Sequence, residues 1–142
     1  MTAAYFDSSA IVKFYANEIH HEVVRGLEVV VVTSSLARVE IVAAFYGKAR
    51  SGEIDVAAAQ VLAEVFTNDW DTGRFVHVST DENVEREAAE LAARYLVRGF
   101  DAVHLATANA ARRAVADCRQ FVCFDARLNR AAAGEQFQLL LV

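Results

Sequence analysis

A chain of 142 residues, 55% of them apolar and none of them proline, has enough material for one core without disulfides or a structural metal. Its formal net charge of −5 excludes the profile of a general nucleic-acid coat protein, which must be basic enough to condense onto phosphates; a nuclease whose metal site is built from acids is still allowed. No run approaches the roughly 20 apolar residues of a membrane span, the amino terminus MTAAYFD has neither a basic region nor a long apolar core, and Cys118 and Cys123 lack zinc-ligand spacing. The expectation is a single domain over residues 1–142, in the cytoplasm, off the membrane, with reduced thiols of which at least one is packed.

In chain order, AAYF (3–6) precedes a helix predicted from about Ser9, and VVVVT (29–33) precedes a long helix from about Ser35. DVAAAQVLAEVF (55–66) reads as a helix with apolar residues around much of its circumference, which predicts a covered partner surface and an obligate partner or oligomer. FVHVS (75–79) comes before helices from Asp81 and Asp101, FVCF (121–124) before a helix from about Ala126, and FQLLLV (137–142) is the last apolar run. Alternation of this kind, with strands apolar on both faces, predicts an α/β domain with a parallel sheet covered by helices. Without proline, glycine and polar residues must end the elements, and Gly26, Gly47, Gly52, Gly73, Gly99 and Gly134 all fall at or near predicted ends.

In such a sheet, ligands gather where strands end and helices begin. Asp7 directly follows AAYF, and Asp125 directly follows FVCF. Asp101 opens the helix in GFDAVHLATA, and Glu40, in LARVEIVAAF, is an acid on a small, apolar helical face. Taken singly, the three aspartates read as helix N-caps, and Glu40 reads as the partner of an arginine such as Arg38 or Arg112. Taken together, carboxylates crowded at one edge repel each other and need a cation, and oxygen-only ligands suit Mg²⁺ or Mn²⁺ rather than zinc. Such ions hold phosphates and activate water.

The set YFDSSAIVKFY, RVEIVAAFYGK, GFDAVHLATA and FVCFDARLNRAA, in this order, resembles the PIN-domain nucleases, specifically the VapC-type toxins of toxin–antitoxin pairs. The likeness spans nearly the whole chain. It implies a three-layer α/β/α sandwich with a central parallel sheet, a Mg²⁺- or Mn²⁺-dependent endoribonuclease leaving a 5′-phosphate, and inhibition by a small cognate antitoxin. Carried over residue by residue, Asp7, Glu40, Asp101 and Asp125 match the acidic quartet of catalytic and metal-binding residues, with Asp7 and Asp101 in the firmest motifs and Asp125 at the most variable position. Ser9, beside the first acid, matches a hydroxyl that borders the metal site. The chain departs from the family at ANE and TSSL, where proline is common, which bears on loop shape and leaves the acids in place.

His104, one turn after Asp101, reads as a packed, hydrogen-bonded histidine outside the site. RNA phosphates must rest on local cations, for which Arg38, Arg127 and Arg130 are the candidates, with Lys48 and Arg50 also expected to flank the site. Two alternatives compete with the RNA-cleaving toxin. An inactive binding module that keeps the fold would be marked by lost acids, and all four are present. An aspartyl-nucleophile phosphatase needs a second acid two residues after the first, where this chain has Ser9. The partners expected are an RNA substrate, a second copy of the chain in a homodimer, and the antitoxin.

Overall fold

The computed structural model describes residues 1–140. Five parallel strands, β1 (Ala3–Phe6), β2 (Val30–Ser34), β3 (Val76–Val78), β4 (Gln120–Val122) and β5 (Gln138–Leu139), form one sheet in the order β3-β2-β1-β4-β5. The register aligns Tyr5 with Val32 on one side and with Phe121 on the other. Seven helices cover the sheet: α1 (Ser8–Val12), α2 (His21–Arg25), α3 (Ala37–Arg50), α4 (Val56–Asp71), α5 (Glu82–Tyr95), α6 (Gly99–Ala114) and α7 (Ala126–Gly134).

The two-residue period of a strand explains the layering, since successive side chains of β1 point to opposite faces. Tyr5 joins Val32 and Phe121 in a core with Leu91 of α5, Leu105 of α6 and Leu128 of α7. Ala4 and Phe6 join Val31 and Val122 in a second core with Ile11 of α1, Ile41 and Phe45 of α3, and Phe66 and Trp70 of α4. The parallel sheet covered by helices is as the alternation of elements predicts, and with helices on both of its faces the molecule is the three-layer α/β/α sandwich that the resemblance implies.

Several boundaries differ from the sequence reading for local reasons. The long helix starts at Ala37 because the Ser34 hydroxyl accepts the Leu36 N–H (3.1 Å) and holds a turn at the strand end. The five-residue α2 has too short a period to read, and its cap, His20, sits in the left-handed region at φ 70°. Of the final apolar run, Gln138 and Leu139 form β5, and Leu141 and Val142 lie outside the described residues. Both thiols are free and buried, and burial pushes both up, Cys118 to about 11, which disfavours the nucleophilic thiolate at neutral pH.

The chain steps outward from β1 to β2 and β3, then returns to the other side of β1 for β4 and β5. The switch point therefore lies between β1 and β4, the place where ligands enter open α/β sheets. Asp7 follows β1 and Asp125 follows β4, and the Asp7 N–H donates across this gap to the Val122 carbonyl (3.2 Å).

Candidate active site

Asp7 is buried, at 6% exposure. It caps α1, its Oδ1 accepting the Ala10 N–H at 2.9 Å, and the exposed Ser9 hydroxyl donates to the same carboxylate at 2.8 and 2.9 Å. Two neighbours thus fix its orientation. Burial pushes the carboxyl above its ordinary range, and the Asp101 charge adds to this, against the pull of His104 and the two donors.

Asp125 is an exposed N-cap of α7, with Oδ1 accepting the Leu128 N–H at 2.8 Å. Capping occupies one oxygen and leaves the other available to a ligand.

Asp101 behaves differently. The cap of α6 is Arg98, whose side chain makes no capping bond, and Asp101 is the third residue of the helix. It is half-buried and accepts no hydrogen bond among the described residues. The cap expected at Asp101 is therefore corrected: the residue complements the positive end of the helix without bonding to it. Burial raises its pKa, and the charge of Asp125 and, more weakly, that of Glu40 raise it further; His104 and Arg98 offset only part of this.

Glu40 also departs from expectation. Its partner is His104, not an arginine: Arg38 lies 3.7 Å from Asp71, and Arg112 bonds Asn109 at 2.8 Å. Glu40 Oε1 meets His104 Nε2 at 2.7 Å and accepts the Ser8 hydroxyl at 2.7 Å, while His104 Nδ1 meets the Tyr5 hydroxyl at 2.7 Å. Burial opposes ionisation of Glu40, but the hydrogen bond and charge of His104, with Ser8, outweigh it and hold the carboxyl below its ordinary range. His104, 3% exposed, is packed and satisfied as expected, yet it also anchors one of the four acids. Sequence reasoning missed that second role because the partners stand 64 residues apart.

Asp101 thus interacts through its charge with each of the other three acids, and burial disfavours the ionised forms of Asp7 and Asp101. Among the described residues, no group of three or more His, Cys, Asp or Glu side chains is close enough together to hold a metal ion. The donor chemistry fits a hard divalent ion that keeps part of its water shell, as Mg²⁺ does on one or two carboxylates. Of the expected cations, Arg127 and Arg130 are exposed on α7 beside Asp125 and make no ion pair among the described residues, whereas Arg38 is engaged with Asp71 and Lys48 with Glu18 and Glu53. Arg50 ends α3, ten residues after Glu40.

A groove of about 520 Å³ between α3 and α4, lined by residues such as Tyr46, Ala63 and Thr67, contains none of the acids. No helix among the described residues is long and apolar enough to cross a membrane. A search of curated proteins gives no match. Comparison with protein families matches the PIN domain over residues 4–134, a span that includes the strand ends, the first turn of α6 and all four acids, and the chain belongs to the PIN domain family.

Proposed function

We propose that this protein is a metal-dependent endoribonuclease, the toxin of a toxin–antitoxin pair, acting in the cytoplasm. PIN domains are in general metal-dependent nucleases. The observation that carries the reading is Asp101, a half-buried carboxylate with no hydrogen bond among the described residues, raised in pKa by burial and by Asp125. An arrangement that destabilises its own ionised form is explained by a cation that neutralises it.

Asp7 and Asp101 would chiefly hold Mg²⁺ or Mn²⁺, with Asp125 and Glu40 at the margin. When bound, the ion supplies activation of water and neutralisation of charge on the phosphate. The chain does the rest. Ser9 and the Ala10 N–H keep Asp7 in one orientation. His104 and Ser8 occupy one oxygen of Glu40 and leave the other able to accept a proton from water. Arg127 and Arg130 would bind the phosphate backbone, as local cations must in a chain of net charge −5.

The exposed valines Val56, Val61 and Val65 of α4 and Val39 of α3 support the further reading that the protein forms a homodimer and binds an antitoxin whose basic tail enters the acidic edge. The test is cleavage of RNA by purified protein with Mg²⁺, with excess chelator, and with Asp7→Asn. Cleavage that needs metal and Asp7 supports the proposal, and robust cleavage in chelator by protein free of contaminating ribonuclease overturns it.

A further inference from the structure

A second concavity lies against α7, the helix that Asp125 caps. The last turn of α5, its cap residue and the outer face of α7 enclose a pocket of about 410 Å³ lined by Arg94, Tyr95, Leu96, Arg127, Arg130 and Ala131. Its size falls in the range of small-molecule sites. Arg127 and Arg130, three apart on α7, share one helical face, and Arg127 is two residues from the cap Asp125. Among the described residues that line the pocket none is a carboxylate, although Glu135 bonds two of them, Arg94 and Tyr95, from behind.

The far wall is built and held. Glu135 accepts bonds from the Tyr95 hydroxyl, from Arg94 Nη1 at 3.1 Å and from Asn109 Nδ2 at 3.0 Å, so the end of α5 is latched to the end of α7. Gly134 leaves room for this: a Cβ there would stand 2.7 Å from the Tyr95 ring, so the ring would have to shift. Leu96, in the left-handed region at φ 56° and 77% exposed, leaves its side chain at the rim. Such a conformation is costly for a branched residue and occurs mostly where surrounding structure imposes it.

We propose that this pocket is a nucleotide subsite, in which Arg127 and Arg130 bind a phosphate flanking the cleaved bond and the Tyr95–Leu96 wall receives the attached sugar and base of a single-stranded RNA. This rests on the ribonuclease reading. Arginine forks suit phosphate oxygens bidentately, and an aromatic and apolar wall suits an unstacked base without demanding one sequence.

The test is binding of a fluorescein-labelled single-stranded oligoribonucleotide, followed by anisotropy in EDTA over a range of salt. The proteins compared are the wild type, Arg127→Ala/Arg130→Ala, Gly134→Ala, and Arg119→Ala as an exposed control at the opposite sheet edge. Circular dichroism confirms that each is folded. The double variant should bind at least tenfold more weakly, with its salt slope reduced by up to about two. Gly134→Ala should weaken binding with the slope unchanged, because it moves the wall and keeps the charges; Arg119→Ala should match the wild type. Unchanged affinity and slope in the double variant overturn the subsite and leave the ribonuclease reading standing. Binding through the arginines without Mg²⁺-dependent cleavage supports a nucleotide-binding pocket and overturns the ribonuclease reading, and with it the place beside a cleaved bond. No binding by the wild type overturns the subsite, and the cleavage assay with Mg²⁺ decides the ribonuclease reading separately.

Discussion

The first turns of α5 and α6 each present an aspartate, and only one of them is spent on its helix. Asp81 caps α5 by accepting the Val84 N–H at 2.9 Å, whereas Asp101 sits inside the first turn of α6 with its carboxylate unbonded among the described residues and in charge contact with Asp125 and Asp7. One acid is spent on its helix, and the other has its ionised form disfavoured by burial and by its neighbours. A residue type alone therefore does not separate support from function; burial without a partner does.

The largest expected effect is the loss of chemistry without loss of structure. Asp101→Asn should reduce RNA cleavage by roughly two orders of magnitude or more, the scale of losing several kcal/mol of charge stabilisation, while urea denaturation in EDTA shows a protein at least as stable as wild type. Wild-type turnover in the variant would make Asp101 no different in kind from Asp81.

His104→Ala should be next, costing about 2–4 kcal/mol in the same denaturation measurement, because it leaves a cavity and strips partners from the buried Tyr5 hydroxyl and from Glu40. A loss below about 1 kcal/mol would mean that the anchoring network is dispensable. Asp81→Ala should cost about 1 kcal/mol with cleavage unchanged, which sharpens the contrast from the structural side.

The smallest effect is a difference in sign with pH. Asp7 and Asp101 have raised pKa values, so the folded protein holds their protons more tightly than the unfolded chain does, and each subtracts stability as pH rises from about 4. Glu40 is lowered, so it contributes stability above the ordinary carboxylate range that is lost as pH falls through its folded value. In EDTA, the stability of Asp101→Asn should fall less than that of wild type as pH rises from about 4 towards 6. Parallel curves would remove Asp101 from the strained set.

The sequence made the sheet legible because AAYF, VVVVT and FVCF are short apolar runs bounded by polar residues, and because Asp7 and Asp125 follow two of them directly. It also located the helix carrying Asp101. What it could not carry was geometry between distant residues. Cap and third helical position differ by one turn of backbone, and with Arg98 and Gly99 ahead of Asp101 there is no better capping residue in the sequence to signal the true start. The Glu40–His104–Tyr5 chain joins α3, α6 and β1, and no local pattern records such a contact. The Arg94–Tyr95–Glu135 latch is invisible for the same reason, although Gly134, read only as a helix end, was its one trace in the sequence.

The most direct test of the central claim, that Asp101 is strained for the sake of a cation, is the gain in stability on adding Mg²⁺, measured by denaturation of wild type and Asp101→Asn with metal and with EDTA. A ligand that binds only the folded state stabilises it by mass action, so a site that includes Asp101 predicts a large Mg²⁺-induced gain for wild type and a much smaller one for the variant. Equal gains in the two proteins would contradict the account and leave Asp101 as an acid that serves only the dipole of its helix.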